Sequence, residues 1–434
     1  MAGRLNIATT GALDQWLTGN PTFSHALYRF RKHTPFSIEM VETPFDGHPV
    51  DFGHEISCRV PQGKGDAIRN MTLKVTLPDP SPDTFGKNDN YYPPSVVSHM
   101  IERADLLIGN QLIQRLTGEY IYMYHQLNHS DDDLNQSIYF MSGHGNILSY
   151  SGRNYTYYLD LPFYFHGHSQ LAIPTCALTR QLVEVRIKLR PFSEMLFLGG
   201  SQSTPATGSI VNISLDSEFV FFSPEERAFL ASRPQSYVIT QLQKSEFKIP
   251  YGETKRSVLL KFTNPVKELF IVSQSEYAET KNLPNNYNRL VNAELRFNNA
   301  VVFNAGNLHL TYAQALRRHV NSPMNYASLT TVEVDPTMDG SDPDSVFTHE
   351  IQSEFAMYSW SRHPERYYPT GQVNFSRVAH KLLTVEIEQR STRISATAPA
   401  VSGAYTGHDN KVRVYAVSYN VLTFNAGCAG LKYL

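Results

Sequence analysis

Two stretches on either side of mid-chain repeat one pattern, and that repeat constrains the fold more than any other feature of the chain. Ala104-Asp105-Leu106-Leu107-Ile108-Gly109-Asn110-Gln111-Leu112-Ile113 is echoed by Ala293-Glu294-Leu295-Arg296-Phe297-Asn298-Asn299-Ala300-Val301-Val302. Each reads as a strand, a tight Gly-Asn or Asn-Asn turn and a returning strand, because Gly and Asn accept the positive φ of a two-residue hairpin. A weak helical stretch follows each, at Tyr120–Leu127 and Tyr312–His319. Further along, Pro174-Thr175 leads through Arg180 into a strand at Val183–Leu189, and Pro369-Thr370 leads through Arg377 into one at Leu383–Ile387. The order is kept and the spacing nearly so. Two copies of one β domain is the economical reading, against chance similarity between short hairpins.

Local patterning agrees. Val183, Val185, Ile187 and Leu189 alternate with Glu184, Arg186, Lys188 and Arg190, and the same period of two runs through Leu73–Leu77, Leu383–Ile387 and Lys411–Val414. Strands with one apolar and one charged face belong to antiparallel sheets that cover a core on one side. Long polar connections lie between them, at Leu77–Pro94, Gly199–Gly208 and Asp335–Ser345. The clearest helix signal is Ser223-Pro224-Glu225-Glu226, a capping box with proline at the first helical position, closed by Pro234. It follows a strand at Ser217–Phe222 and sits almost at mid-chain, as a connector between two domains would. At 434 residues the chain suits two domains of about 200 residues better than one.

Composition narrows the function. Charged residues make up 18% of the chain, below the roughly 25% of ordinary soluble domains, while aromatics reach 12%. That balance favours β-sheet and burial of surface between subunits. The net charge is −2 and no long Lys/Arg run occurs, so no direct contact with nucleic acid is expected. Cys58, Cys176 and Cys428 lie far apart, form no CxxC pair, and read as small buried hydrophobes in a reducing compartment. No secretory signal and no transmembrane segment is apparent, so synthesis and folding in a cytosol are expected.

The chain resembles the double jelly-roll major capsid proteins of nucleocytoplasmic large DNA viruses, the group that includes chlorella viruses and iridoviruses. Leu17-Thr18-Gly19-Asn20-Pro21-Thr22-Phe23, with Tyr28-Arg29 and Thr34-Pro35-Phe36, is similar to that family's N-terminal signature. Leu161-Pro162-Phe163-Tyr164-Phe165 and Leu171-Ala172-Ile173-Pro174 are similar to late strands of its first jelly roll. Pro369-Thr370-Gly371-Gln372-Val373-Asn374-Phe375-Ser376-Arg377 and Tyr415–Leu422 with Gly427–Leu431 carry the resemblance to the end of the chain. It departs mainly in the loops Leu77–Pro94, Gly199–Gly208 and Gly252–Arg256.

The resemblance implies an all-β fold of two tandem eight-stranded antiparallel jelly rolls with short helices in the loops. Residues 1–24 would be an N-terminal arm, 25–222 the first roll and 223–434 the second, with 223–234 as connector helix. It implies a homotrimer whose six rolls form a pseudo-hexagonal capsomer, contacting neighbouring capsomers and minor capsid proteins beneath the outer shell of an icosahedral virion assembled in host cytoplasm. Leu13, Trp16 and Leu17 could dock as one apolar stripe of the arm. A minor or paralogous capsid component is the alternative within that lineage.

The remaining alternative is a jelly-roll enzyme acting on carbohydrate or using a metal. His166-Gly167-His168 has metal-like spacing, but a cupin set needs a glutamate where Ala172 and Ile173 stand. Asp131-Asp132-Asp133 lacks the ligand spacing of a calcium loop, and Gly63-Lys64-Gly65 is no phosphate loop. No cofactor and no enzymatic activity is expected. Glycosylation sequons occur at Asn70, Asn128, Asn135, Asn154, Asn212 and Asn374; Asn128 and Asn135, in a polar stretch, are the candidates for modification.

Overall fold

The computed structural model describes residues 4, 7–22, 24–26, 32–47, 49–78, 92–93, 95–128, 155–196, 208–280, 282–320, 330–334, 346–350, 355–388 and 408–433. Met1–Phe36 and Ser37–Leu434 are separate units. In the first, Gly11 N–H donates to Asp14 Oδ2 at 2.9 Å and opens a seven-residue helix, Ala12–Thr18, none of whose side chains is buried.

The two repeated stretches are hairpins. Strands β4 (Ile101–Ile108) and β5 (Gln111–Thr117) join through Gly109 and Asn110, both at positive φ. Strands β12 (Leu290–Phe297) and β13 (Ala300–Gly306) join the same way through Asn298 and Asn299. Before them lie β1 (Phe36–Pro44), β2 (Glu55–Arg59) and β3 (Ala67–Leu77); after β5 come β6 (Tyr155–Asp160), β7 (Val183–Leu189) and β8 (Asn212–Phe222). These eight strands pair in the orders β1-β8-β3-β6 and β2-β7-β4-β5. First with eighth, third and sixth, and second with seventh, fourth and fifth, is jelly-roll connectivity.

The helix Pro224–Ser232 follows, with Ser223 Oγ accepting from Glu226 N–H at 3.3 Å. Then come β9 (Gln235–Ile249), β10 (Lys255–Leu259), β11 (Pro265–Ser275), the second hairpin, β14 (Thr330–Val334), β15 (Val346–Glu350), β16 (Ala356–Ser359), β17 (Val373–Asn374), β18 (Lys381–Ile387), β19 (Asn410–Asn425) and β20 (Cys428–Leu431). Strand β19 pairs with β9 and β11, β11 with β16, and the other sheet runs β10-β18-β12-β13. The jelly-roll order is repeated, with β14–β15, β17 and β20 as additions.

The copies share their irregularities. Bulges fall between Ile68 and Asn70 in β3 and between Val266 and Glu268 in β11. They recur between Ile101 and Arg103 in β4 and between Leu290 and Asn292 in β12. A third pair lies between Leu106 and Leu107 and between Leu295 and Arg296. A bulge twists a sheet locally, so shared bulges give the two rolls the same curvature.

Within each roll the antiparallel pairings bring the long connections to one end. There β3 ends and β4 begins, β5 ends and β6 begins, and β7 ends and β8 begins; in the second roll β11 and β12, β13 and β16, and β18 and β19 do the same. The opposite end carries the hairpin turns and the stretch holding Pro369–Arg377. There Gly371, at φ 144°, lies so close to Trp360 that a Cβ would come 2.5 Å from its carbonyl oxygen. Asn374 Oδ1 accepts from Ser376 N–H at 3.0 Å, and Ser376 Oγ accepts from Asn264 N–H at 2.8 Å. That signature is a local fastening of β17 to β11.

Three expectations need correction. Cys58 is buried, and burial first and foremost raises its thiol pKa to about 12, whereas Cys176 and Cys428 are only half-buried. The strand before the connector is longer than Ser217–Phe222, beginning at Asn212. Arg413, which alternation places on a solvent face, is buried, because that face of β19 meets the first roll.

Gly118, where β5 becomes the helix Gly118–Asn128, tests the backbone packing of the first roll. A Cβ there would lie 1.9 Å from Ser98 O and 2.3 Å from Ile101 O, neither of which can swing aside. Gly118→Ala should cost roughly 3 kcal/mol or more in denaturant unfolding. Gly306→Ala, whose methyl meets only Val291 O at 3.4 Å, should stay within about 1 kcal/mol. Equal stabilities for the two variants would contradict this packing.

Candidate functional site at the junction of the two rolls

Residues that would make one face of each sheet polar in a lone roll are used differently here. In the second roll, Val412, Val414 and Ala416 point into its own core. The alternate residues Tyr415 and Val417, with Phe270 and Val272 of β11, join the core cluster of the first roll instead. Helix Gly118–Asn128 lies across them, and the Tyr120 ring meets Phe270 edge-on at 6.0 Å. At the sheet edges Gln241 Nε2 of β9 donates to Ile113 O of β5 at 2.8 Å.

Two buried polar clusters flank this apolar contact. In the first, the Arg413 guanidinium donates to both oxygens of Glu119 at 2.8 and 2.6 Å, to Glu279 Oε1 at 2.7 Å and to Gln274 Oε1 at 2.6 Å. Tyr415 Oη also donates to Glu119. Burial alone would raise the Glu119 pKa, but the charge and hydrogen bonds of Arg413 hold it below the usual carboxylate value. Burial opposes the charge on Arg413 too, and Glu119 overrides it, so the guanidinium is held protonated more firmly than in water. The cluster lines a cleft of about 550 Å³ between the ends of both rolls that carry the long connections.

In the second cluster, His319 Nε2 lies 2.7 Å from Glu268 Oε1, and its Nδ1 lies 2.9 Å from Asn128 Oδ1 and 3.4 Å from Glu365. Lys267 Nζ donates to Pro364 O at 2.8 Å and stands 3.9 Å from Glu268. Burial works against the charges of Lys267, Glu268 and His319 and leaves Lys267 below its usual value. Glu268 is nevertheless held low by His319 and Lys267, and His319 is held high by Glu268 and Glu365.

The C-terminal hairpin and one side chain of the second roll complete the junction. Arg180 N–H donates to Gly427 O at 3.1 Å and Ala429 N–H to Gln181 Oε1 at 2.7 Å. Asn282 Nδ2 donates to Ser193 O at 2.9 Å and Leu196 O at 2.7 Å.

Of the residues singled out in the sequence, Asn128, His166 and His168 line the cavity that holds the second cluster, and the other described ones lie elsewhere. Leu13, Trp16 and Leu17 share one side of helix Ala12–Thr18 and are 69%, 81% and 67% exposed. Asn128 is half-buried with its carbonyl oxygen beside His319. Asn135 and Asp131–Asp133 lie outside the described residues. His166 Nδ1 is 2.7 Å from Asn70 Oδ1, and His168 has its pKa lowered chiefly by burial. Among the described residues no group of three or more His, Cys, Asp or Glu side chains is placed to hold a metal, and no helix is long and apolar enough to cross a membrane. Glu119, Glu268, His319 and Arg413 were not singled out. Their available signal was a charge inside an apolar strand, as in Val266-Lys267-Glu268-Leu269-Phe270.

Arg413→Met should cost about 3–5 kcal/mol, because Glu119 would remain buried without its partner. Glu119→Gln with Arg413→Met should recover part of that loss in denaturant unfolding, and a double variant as weak as the single would show that the ion pair is not the cause. The His319 effect has a definite sign. Its pKa is raised on folding above 6.5, so its contribution is complete below that value and is lost as pH rises through the raised one. Glu268, lowered from 4.5, loses its contribution as pH falls through the lowered value. The stability difference between the natural protein and His319→Gln should therefore shrink from pH 6 toward 9, and a flat difference would contradict the linkage.

The same architecture and sequence pattern occur in known proteins. Residues 26–222 match the family model for the major capsid protein N-terminus, and residues 226–430 match that for the large eukaryotic DNA virus major capsid protein. The major capsid protein of Phaeocystis pouchetii virus is 25% identical over 99% of both chains, and that of Paramecium bursaria Chlorella virus 1 is 26% identical over 100% of both. Among solved structures, PBCV-1 VP54 superposes with a TM-score of 0.73 at 20% identity, covering 95% of this chain and 100% of its own. The Faustovirus major capsid protein gives 0.64 at 10% identity, covering 98% and 96%. The relatives are structural proteins rather than enzymes. With family matches spanning both rolls in order, the chain belongs to the major capsid proteins of large eukaryotic DNA viruses.

Proposed function

We propose that the chain acts as a homotrimeric capsomer, its six rolls forming a pseudo-hexagonal tile of the virion's outer shell. The observation that carries this is the junction: two rolls of one topology and one set of bulges, locked side by side by a shared apolar core. A rigid tandem is the unit from which a closed ring of three chains can present six similar sides. The division at 25–222 and 223–434 belongs to this reading, with helix Pro224–Ser232 as the connector.

Residues 1–24 act in the proposal as an arm on the inner side of the shell, whose stripe of Leu13, Trp16 and Leu17 docks on neighbouring capsomers or minor capsid proteins. Its support is the solvent exposure of three large apolar side chains on one short helix. Assembly takes place in host cytoplasm, and any glycan is sought first at Asn135, since Asn128 is engaged with His319.

Light scattering on the purified protein should give a native mass near three times 49.1 kDa, about 147 kDa, that persists on dilution. A monomer of 49.1 kDa at all concentrations would overturn the capsomer. Deleting residues 1–20 should leave that mass, less the missing residues, but reduce formation of shells or sheets in electron micrographs. Undiminished assembly would remove the arm from the mechanism.

A further inference from the structure

The cavity that holds the second cluster, about 60 Å³, lies between the rolls and carries more cationic than anionic chemistry. Its second-roll side presents Lys267 and Glu268 of β11, His319, and Glu365 and Arg366 of the stretch after β16. Its first-roll side presents His166 and His168. Among the described residues, Glu268 and Glu365 are the only carboxylates that line it, and both already face His319, at 2.7 and 3.4 Å. Tyr120, Tyr124, Tyr164 and Tyr419 line it as well, and burial keeps their hydroxyls protonated.

The two first-roll histidines are fixed in place. His168 N–H donates to Phe165 O and its own carbonyl accepts from Leu171 N–H, each at 3.0 Å. Its ring meets that of Tyr367, from the second roll, at 6.2 Å, and the Arg366 guanidinium lies over the neighbouring Tyr368 ring. His166 Nδ1 is 2.7 Å from Asn70 Oδ1, and its ring packs edge-on against Tyr124 at 5.9 Å and against His125 of the same helix at 6.4 Å. Burial first, and then the charge of Lys267, hold the His168 pKa below its usual value, against a main-chain hydrogen bond with Glu365. A neutral imidazole suits this place. A charged one would meet Lys267 and Arg366 across a partly dry gap, where like charges repel more strongly than in water, with no carboxylate of the lining left to balance it.

We infer that acid opens the junction at this cavity. Protons taken up by His166 and His168 set like charge against Lys267 and Arg366, and helix Gly118–Asn128 parts from the second roll while each roll keeps its own sheets. Histidine is the side chain that changes charge in this range. With its folded value below 6.5, His168 leaves the junction undisturbed at pH 7 and weakens it as pH falls from 6.5 through the lowered value. His319, raised above 6.5, and Glu268, lowered from 4.5, both keep their charges from pH 6.5 down to pH 5. A response in that interval therefore belongs to the first-roll histidines and not to the His319–Glu268 pair.

The test is hydrogen exchange on the full-length protein at pH 7 and pH 5, each amide corrected for its intrinsic rate, with circular dichroism at both. In the natural protein, exchange in helix Gly118–Asn128 should rise by about threefold or more relative to β7 and β18, which lie within separate rolls. His166→Gln with His168→Gln should lose most of that rise. Arg366→Gln, at an exposed position, should shrink it from the opposite wall with every histidine in place. His380→Gln, exposed beside the Asn298 turn, should respond as the natural protein does. A helix equally protected at both pH values in the natural protein would overturn the inference, as would a full acid response in the double variant or a lost one in His380→Gln. If the double variant is unfolded at pH 7, Arg366→Gln decides, and an undiminished rise there overturns it.

Discussion

The outer face of the sheet formed by β16, β11, β19 and β9 carries Phe270, Val272, Tyr415 and Val417. Leaving such side chains in water would forfeit roughly 2 kcal/mol each. A second roll built this way is incomplete alone, and the helix Gly118–Asn128 of the first roll completes it. This one burial fixes the spacing of the two rolls and brings the C-terminal hairpin against Arg180 and Gln181. It also explains why one apolar cluster extends from the first core into the second half of the chain.

Charge at such a contact needs a separate justification, since taking an ion out of water costs several kcal/mol before any pairing. Arg413 meets that cost with four side-chain hydrogen bonds to Glu119, Glu279 and Gln274. Apolar surfaces alone can slide over one another, whereas a forked guanidinium bridging Glu119 and Glu279 allows one placement. The second cluster, around Glu268 and His319, pins the other end of the helix through Asn128. Apolar area supplies the attraction, and the two clusters set the register.

Much of the fold was legible in the sequence. The hairpin turns Gly109-Asn110 and Asn298-Asn299 announce positive φ, and Val183–Leu189 and Leu383–Ile387 announce a period of two that holds in both copies. Ser223–Glu226 marked the connector helix because capping chemistry is local. The junction was not legible. Arg413 in Lys-Val-Arg-Val follows the same alternation as a solvent-facing residue, and only the packing of the first roll against that face makes it buried. The shared bulges were hidden too, since one extra residue in a strand leaves no compositional mark. For Leu13, Trp16 and Leu17 the sequence suggested one apolar stripe, and the short helix Ala12–Thr18 sets all three on one side.

Gathering the long connections at one end of each roll uncouples two kinds of change. Lengthening such a segment outside helix Gly118–Asn128 and the stretch that carries His319 adds only closure entropy, about 0.6 kcal/mol for each doubling, and disturbs none of the paired registers. The width of each roll is set by its strands and bulges and not by the length of the segments that join them. Sequence can therefore change in those segments while the pairing that gives each roll its dimensions stays where it was.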